Sequence, residues 1–278
     1  MSRFMKLLCL AFIAVCAVAQ ERPSPPAFLP DVSTSVMKSS ATGRAYQISV
    51  ALPDGYSREH APYPVLYAAD ANVQFGTLVE TARVFAQIPP LIIIGIGYET
   101  HAQGFVWDPR AVDLTPAPNS GSPGSGHAAE LLAFIRNDLV PSIERNYNAS
   151  QDRAWYGHSF GALFGLYTLF HNDGLFKRFI IGSPSIWEAK DVIQSSEKAF
   201  AATGKPLNAK VFFSVGLLEQ SESGSGMVSD LRDLIRVIDS RQYKGLDYQA
   251  HYFEDESHLT VIPTTMGRGL RYIYSEKR

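Results

Sequence analysis

Gly157-His158-Ser159-Phe160-Gly161 sets a hydroxyl between two glycines, with one residue on either side. A serine hydroxyl of ordinary pKa is a weak nucleophile, so it reacts only when a base can reach it and a carbonyl is aligned with it. A sharp strand-to-helix turn presents the side chain in that way. The flanking glycines remove Cβ atoms that such a turn would force into contact. Residues 153–156 read as a strand and residues 162–170 as a helix, so the context fits the turn. Free N–H groups at the start of that helix would also favour a developing oxyanion. A tight packing turn with an incidental serine is the bland alternative.

A serine nucleophile needs a base, and the chain has seven histidines. His60, His101 and His127 precede the serine in loop-like sequence. His158 sits inside the motif, where its ring is expected to point away from the nucleophile. His171 ends the following helix, and His251 lies within an expected strand. His258 differs. It follows the last expected strand in the polar loop Glu254-Asp255-Glu256-Ser257-His258, from which an imidazole can return to the carboxyl edge of a sheet. The acid is expected past the preceding strand, where Val211-Phe212-Phe213-Ser214-Val215 runs into Gly216-Leu217-Leu218-Glu219. A carboxylate there fixes the imidazole tautomer and stabilises the imidazolium. Glu219 is the first choice, with Glu222, Asp255 and Glu256 as alternatives. The chain order is then serine, acid, histidine. The oxyanion would take one N–H from Phe160 and a second from Ala71 or Asn72, in the loop after Val65-Leu66-Tyr67-Ala68-Ala69.

Elements able to hold these groups are visible in the patterning. Residues 44–52 alternate as a strand, whereas 64–69 and the run Leu91-Ile92-Ile93-Ile94-Gly95-Ile96-Gly97 are continuously apolar, as strands buried on both faces are. Further strands are expected at 179–182, 211–215 and 248–253. Helices are expected at 77–87, 128–145, 191–201, 227–238 and 262–274, with Pro141 kinking or interrupting the second. Strands separated by helices argue for βαβ units and a mostly parallel sheet.

The 278 residues suffice for one domain of this kind, and 46% hydrophobic against 19% charged residues excludes a disordered or fibrous chain. A net charge of −2 gives no basic field for nucleic acid. Arg3 and Lys6 precede an uncharged apolar run that ends Ala17-Val18-Ala19 and gives way to Gln20-Glu21-Arg22-Pro23. That is the form of a secretory signal peptide, and the run is short for a bilayer span. Residues 1–19 are therefore expected to be removed, 20–40 to be a linker, and 41–278 to be the folded domain, secreted or periplasmic and free of the membrane. Both cysteines, Cys9 and Cys16, fall in the removed segment, which leaves no disulfide, thiolate ligand or cysteine nucleophile. No H-x-x-x-H or H-E-x-x-H spacing occurs. Gly95-Ile96-Gly97 lacks the third glycine of a dinucleotide fingerprint, and no P-loop lysine is present. Neither metal nor cofactor is expected.

The stretch YGHSFGALFGLYTLFHNDGLFKRFIIGSPSIW, residues 156–187, resembles the esterase family of α/β-hydrolases that contains the periplasmic and cytoplasmic siderophore esterases. Leu66-Tyr67-Ala68-Ala69-Asp70, Arg110-Ala111-Val112-Asp113-Leu114-Thr115-Pro116, Ser214-Val215-Gly216-Leu217-Leu218-Glu219 and Glu256-Ser257-His258-Leu259-Thr260-Val261-Ile262-Pro263 carry the resemblance in the same order. It implies an α/β-hydrolase fold, with a mostly parallel central sheet and helices on both faces. It also implies Ser159 as nucleophile, His258 as base and Glu219 as acid. Some siderophore esterases work with a Ser-His dyad, so a triad and a dyad both stay open. Gly161-Ala162 stands where members usually have two glycines after the phenylalanine, and Asp70-Ala71 where they often have Asp-Gly.

The expected activity is that of a serine carboxylic-ester hydrolase acting through an acyl-enzyme on a small-molecule ester, with siderophore lactones or esters among the candidates. An acyltransferase of mycolyltransferase type and a noncatalytic ligand-binding protein on the same scaffold are the alternatives. Arg110, with Arg83, is the candidate cation for an anionic substrate. A structural clamp between Arg110 and Asp113 is the competing expectation. The Ser/Gly loop at 120–126 is either a lid or a surface connection.

Overall fold

The computed structural model describes residues 29–100, 106–119, 121–171, 173–222 and 226–275. The expected signal peptide, residues 1–19, lies outside the described residues.

Eight strands form one sheet. They are β1 (Val32–Lys38), β2 (Ala45–Ala51), β3 (Tyr63–Ala68), β4 (Ile92–Gly97), β5 (Ala149–His158), β6 (Arg178–Gly182), β7 (Ala209–Gly216) and β8 (Leu246–Phe253). Their spatial order is β1-β2-β4-β3-β5-β6-β7-β8. The β1–β2 and β2–β4 pairs are antiparallel, and every later pair is parallel. The carboxyl ends of β3, β5, β6, β7 and β8 therefore share one edge, and ligands of open α/β sheets bind outside that edge.

The apolar strands are covered on both faces. Successive residues of a strand point to opposite sides. Phe179 and Ile181 of β6 accordingly join the core built with α5 (Phe160–Phe170), whereas a Cβ on Gly269 of α9 (Val261–Tyr274) would lie 2.7 Å from Ile180. The remaining helices are α1 (Ala71–Glu80), α2 (Trp107–Leu114), α3 (Ala128–Phe134), α4 (Val140–Asn146), α6 (Lys190–Ala202), α7 (Glu219–Glu222) and α8 (Met227–Arg241).

Three differences from the sequence reading have physical causes. Residues 32–38 fall in the span read as linker but form the edge strand β1, so the folded unit starts at Asp31 rather than at residue 41. The strand is largely exposed and serine- and threonine-rich, which erased the alternation. Helix α1 begins at Ala71, six residues before the expected start, because its first turn packs on β4. A Cβ on Gly95 would meet the Ala71 Cβ at 2.7 Å, and one on Gly97 would meet Asn72. Those glycines thus serve close helix–strand approach. The interruption expected at Pro141 takes the form of a π-helical turn just before it rather than a break in the helical stretch from Ala128 to Asn146. A π-helical turn over Ile135–Leu139 separates α3 from α4, with the Val140 N–H donating to the Ile135 carbonyl, and Pro141 enters the first turn of α4, where its missing donor costs little.

Candidate active site

Ser159 stands directly between β5 and α5 with φ 61° and ψ −119°, a backbone region that non-glycine residues seldom occupy. Its N–H donates to the Gly182 carbonyl at 3.0 Å, and its carbonyl accepts from Ala162 and Leu163 at 3.1 and 2.9 Å. The strain is held by both neighbouring elements. The glycines have distinct reasons. A Cβ on Gly157 would overlap the Gly161 carbonyl, and one on Gly161 would press on the Ala69 Cβ at 3.0 Å. The turn therefore closes only without a side chain at Gly157, is tight at Gly161, and brings the start of α5 against the loop after β3. The Ser159 hydroxyl lies 3.2 Å from that of Ser185.

His258 and Glu219 reach the same sheet edge from β8 and β7. Glu219 opens the short helix α7 immediately after β7 and is 1% exposed. Its Oε1 accepts from the Gly216 N–H and the Ser183 hydroxyl, both at 2.7 Å. Its Oε2 lies 2.7 Å from His258 Nδ1. Two donors on one oxygen leave the other for the imidazole, and Nδ1 bonded to a carboxylate leaves Nε2 for an incoming hydroxyl. The loop carrying His258 is fastened to the turn carrying Glu219. Leu217 and Leu218 donate to the carbonyls of Phe253 and Glu256 at 2.8 and 3.2 Å, and a Cβ on Gly216 would overlap the Glu256 carbonyl. Of the alternative acids, Asp255 is exposed and the Glu256 carboxylate accepts from Thr264 at 3.3 Å. The Glu222 side chain lies outside the described side chains.

His158 packs against the candidate base. Its ring is buried, 4.6 Å from that of His258 between centroids at 43°. Burial holds its pKa well below the usual 6.5, and the charges of His258 and Arg110 add to the shift. The residue before the serine therefore packs on the candidate base, a contact that the position inside the motif did not suggest.

The loop after β3 carries the second feature missed by sequence. Asp70 caps α1 in the left-handed region, φ 53° and ψ 39°, and receives a bidentate pair from Arg110: Nε to Oδ1 at 2.7 Å and Nη2 to Oδ2 at 2.9 Å. The expected Arg110–Asp113 clamp is corrected. Arg110 reaches Asp70, while Asp113 pairs with Arg44. Arg110 is 1% exposed and its guanidinium carbon sits 4.9 Å from the centre of the Phe160 ring. Its guanidinium is packed between the Asp70 carboxylate and the Phe160 ring. Arg83 donates to the Leu52 carbonyl at 2.7 Å.

Of the oxyanion candidates, Phe160 is the first residue of α5 and Ala71 and Asn72 are the first two of α1, where N–H groups have no intrahelical acceptor. The Asn72 side chain is spent on Tyr98, exchanging two 2.8 Å hydrogen bonds with its backbone. Among the described residues, no group of three or more His, Cys, Asp or Glu is placed to hold a metal ion. Sequence reasoning also passed over Ser183 and Ser185. The available signal was their place just beyond β6, next to the motif's own strand at the carboxyl edge.

Comparison with known proteins agrees with this architecture. The family model named Esterase matches residues 39–258. The chain is 31% identical over 263 residues to the ferri-bacillibactin esterase of Bacillus subtilis (strain 168), covering 88% of this chain and 90% of that protein. It is 28% identical over 288 residues to the siderophore triacetylfusarinine C esterase of Aspergillus fumigatus, covering 92% and 97%. Among solved structures, the BES protein from Bacillus cereus matches with a TM-score of 0.82 at 28% identity, over 92% of this chain and 99% of that one. The siderophore hydrolase EstB from Aspergillus nidulans matches with a TM-score of 0.79 at 26% identity, over 90% and 98%. The eight-stranded, mostly parallel sheet with helices on both faces has the α/β-hydrolase fold, and the chain belongs to the esterase family.

Proposed function

We propose that the chain is a serine carboxylic-ester hydrolase that acts through an acyl-enzyme, on esters of the siderophore type that its named relatives act on. The observation that carries this reading is the 2.7 Å pair between His258 Nδ1 and the buried Glu219, at the sheet edge where the strained turn puts Ser159. In the proposed reaction His258 Nε2 takes the hydroxyl proton as Ser159 Oγ attacks the ester carbonyl, and Glu219 stabilises the imidazolium. The oxyanion is held by the N–H groups of Phe160 and Ala71. Collapse breaks the ester C–O bond, and the imidazolium proton goes to the departing alkoxide. Water, deprotonated by His258, then attacks the acyl-enzyme and releases the acid and the free serine.

A fluorophosphonate probe followed by peptide mass spectrometry tests the nucleophile, with p-nitrophenyl ester turnover measured alongside. Labelling of Ser159, and loss of both labelling and turnover in Ser159→Ala, is the expected result. Turnover that persists in Ser159→Ala would overturn the assignment. A new ester formed from an added alcohol, in preference to the acid, would make the enzyme a transferase. We also propose export of the domain, on the sequence of residues 1–19. Mass spectrometry of the exported protein should place its first residue near Gln20.

A further inference from the structure

A cavity of about 510 Å³ opens beside the Ser159 turn, lined in part by Asp108, Asn119, Ser122, Phe160, Trp187 and Glu188. Phe160 is the residue after the proposed nucleophile, so the cavity is where the body of an ester would lie if the esterase reading holds. Its charge is one-sided. Asp108 and Glu188 are carboxylates, and no Lys or Arg is found among the described residues that line it. The nearby cations are directed elsewhere. Arg110, two residues after Asp108, is turned into the protein towards Asp70, and Lys190, two residues after Glu188, reaches Asp230 at 2.6 Å. The Glu188 carboxylate is half-buried and fixed by the side-chain amide of Asn119. Trp187 is 45% exposed and offers an aromatic surface with no charge of its own.

We propose that this cavity selects esters that are neutral or cationic around the scissile bond and rejects polyanionic ones. The inference rests on the esterase reading above and narrows its substrate class. Iron(III) bound by three singly charged hydroxamates is neutral, whereas three doubly charged catecholates leave the complex with a triple negative charge. Two carboxylates, that of Glu188 held by Asn119, and no Lys or Arg among the described lining residues favour the first kind of chelate. Like charges brought together in a partly desolvated cleft are disfavoured, and this is how sites reject the wrong partner.

Matched aryl esters test the selection on the intact protein: p-nitrophenyl butyrate, which is neutral, and p-nitrophenyl hemisuccinate, which adds one carboxylate to an acyl chain of the same length. The expected kcat/KM ratio favours the butyrate by at least about tenfold in low salt. It should shrink in 0.5 M NaCl, because screening weakens the repulsion. The same contraction should appear in Glu188→Gln and in the Asp108→Asn, Glu188→Gln double variant. The salt titration of the unaltered enzyme needs no variant to fold. A ferric tris-hydroxamate ester should likewise be cleaved in preference to a ferric tris-catecholate ester. Equal rates on the two aryl esters, or a ratio that neither salt nor substitution moves, would overturn the selection and leave the esterase reading intact. Failure to cleave any ester, with Ser159 unlabelled by fluorophosphonate, would remove the esterase reading and the selection with it.

Discussion

Arg110 and Asp70 face each other through two parallel hydrogen bonds of 2.7 and 2.9 Å, both side chains being sealed from water. The pair ties together the two sources of the proposed oxyanion donors. Asp70 is the left-handed residue immediately before Ala71, and the guanidinium lies against the ring of Phe160. Arg110 is thus a positioning residue in the proposed mechanism. Arg110→Lys keeps the charge but loses the planar fork that matches a carboxylate. It is expected to lower kcat by about 10²-fold, the scale of a misplacement of about 1 Å, with a much smaller change in KM. Asp70→Asn removes one partner of a buried pair and is expected to cost about 3–5 kcal/mol of stability in denaturant unfolding. A kcat in Arg110→Lys within twofold of the parent enzyme would show that the pair is structural only.

The acid is tested through the tautomer it imposes. Glu219 accepts from His258 Nδ1 at 2.7 Å. Glu219→Gln keeps the shape but can present an amide donor to that nitrogen. If the triad operates, kcat is expected to fall on the order of 10³–10⁴-fold, while fluorophosphonate still marks Ser159 slowly. A near-normal rate would assign the chemistry to Ser159 and His258 alone.

Groups that ride on the ends of apolar strands were legible in the sequence. Glu219 and His258 could be placed because β7 and β8 are patterned strands and each residue lies in the short segment that follows one. Ser159 could be placed because the glycine spacing has a steric cause, namely the overlap that a Cβ at Gly157 would make with Gly161. What stayed hidden depends on contacts between segments far apart in the chain. Asp70 is 40 residues from Arg110, and α2, which carries Arg110, has a proline in its first turn and a mixed pattern that does not announce a helix. Asp113, three residues away, was the nearer acid and the wrong one. The His158–His258 contact is of the same kind, because nothing in the turn motif shows that the chain returns from β8 to pack on its second residue.

That contact gives a pH dependence. His158 is buried with its pKa well below 6.5, chiefly through lost solvation. The unfolded chain takes up a proton near pH 6.5 and the folded chain does not, so stability falls with pH there, by up to about 1.4 kcal/mol per pH unit for one proton. The contribution is complete above the unfolded value and disappears as the pH drops to the depressed native value. His158→Gln lacks it. Urea unfolding at pH 7, 6 and 5 should therefore show the parent protein losing stability relative to this variant as the pH falls. A difference that stays constant across the three pH values would refute the account.

Ser183 is the last link in the acid's support. It is fully buried at φ 45°, directly after β6, and its hydroxyl donates to Glu219 Oε1 at 2.7 Å. A hydrogen bond to a charged group contributes about 1.5–3 kcal/mol. Part of that should appear as rate, because an undersolvated carboxylate turns away from the imidazole to find other donors. Ser183→Ala is therefore expected to lower kcat by about tenfold and to leave KM nearly unchanged. The distinguishing measurement is the double-mutant cycle with Glu219→Gln. If Ser183 acts through the carboxylate, adding Ser183→Ala to Glu219→Gln should lower kcat by no more than about twofold, since the interaction it supports is already gone. Full additivity would mean that Ser183 serves the reaction by another route, and the adjoining Ser185, whose hydroxyl lies 3.2 Å from that of Ser159, would become the residue to replace next.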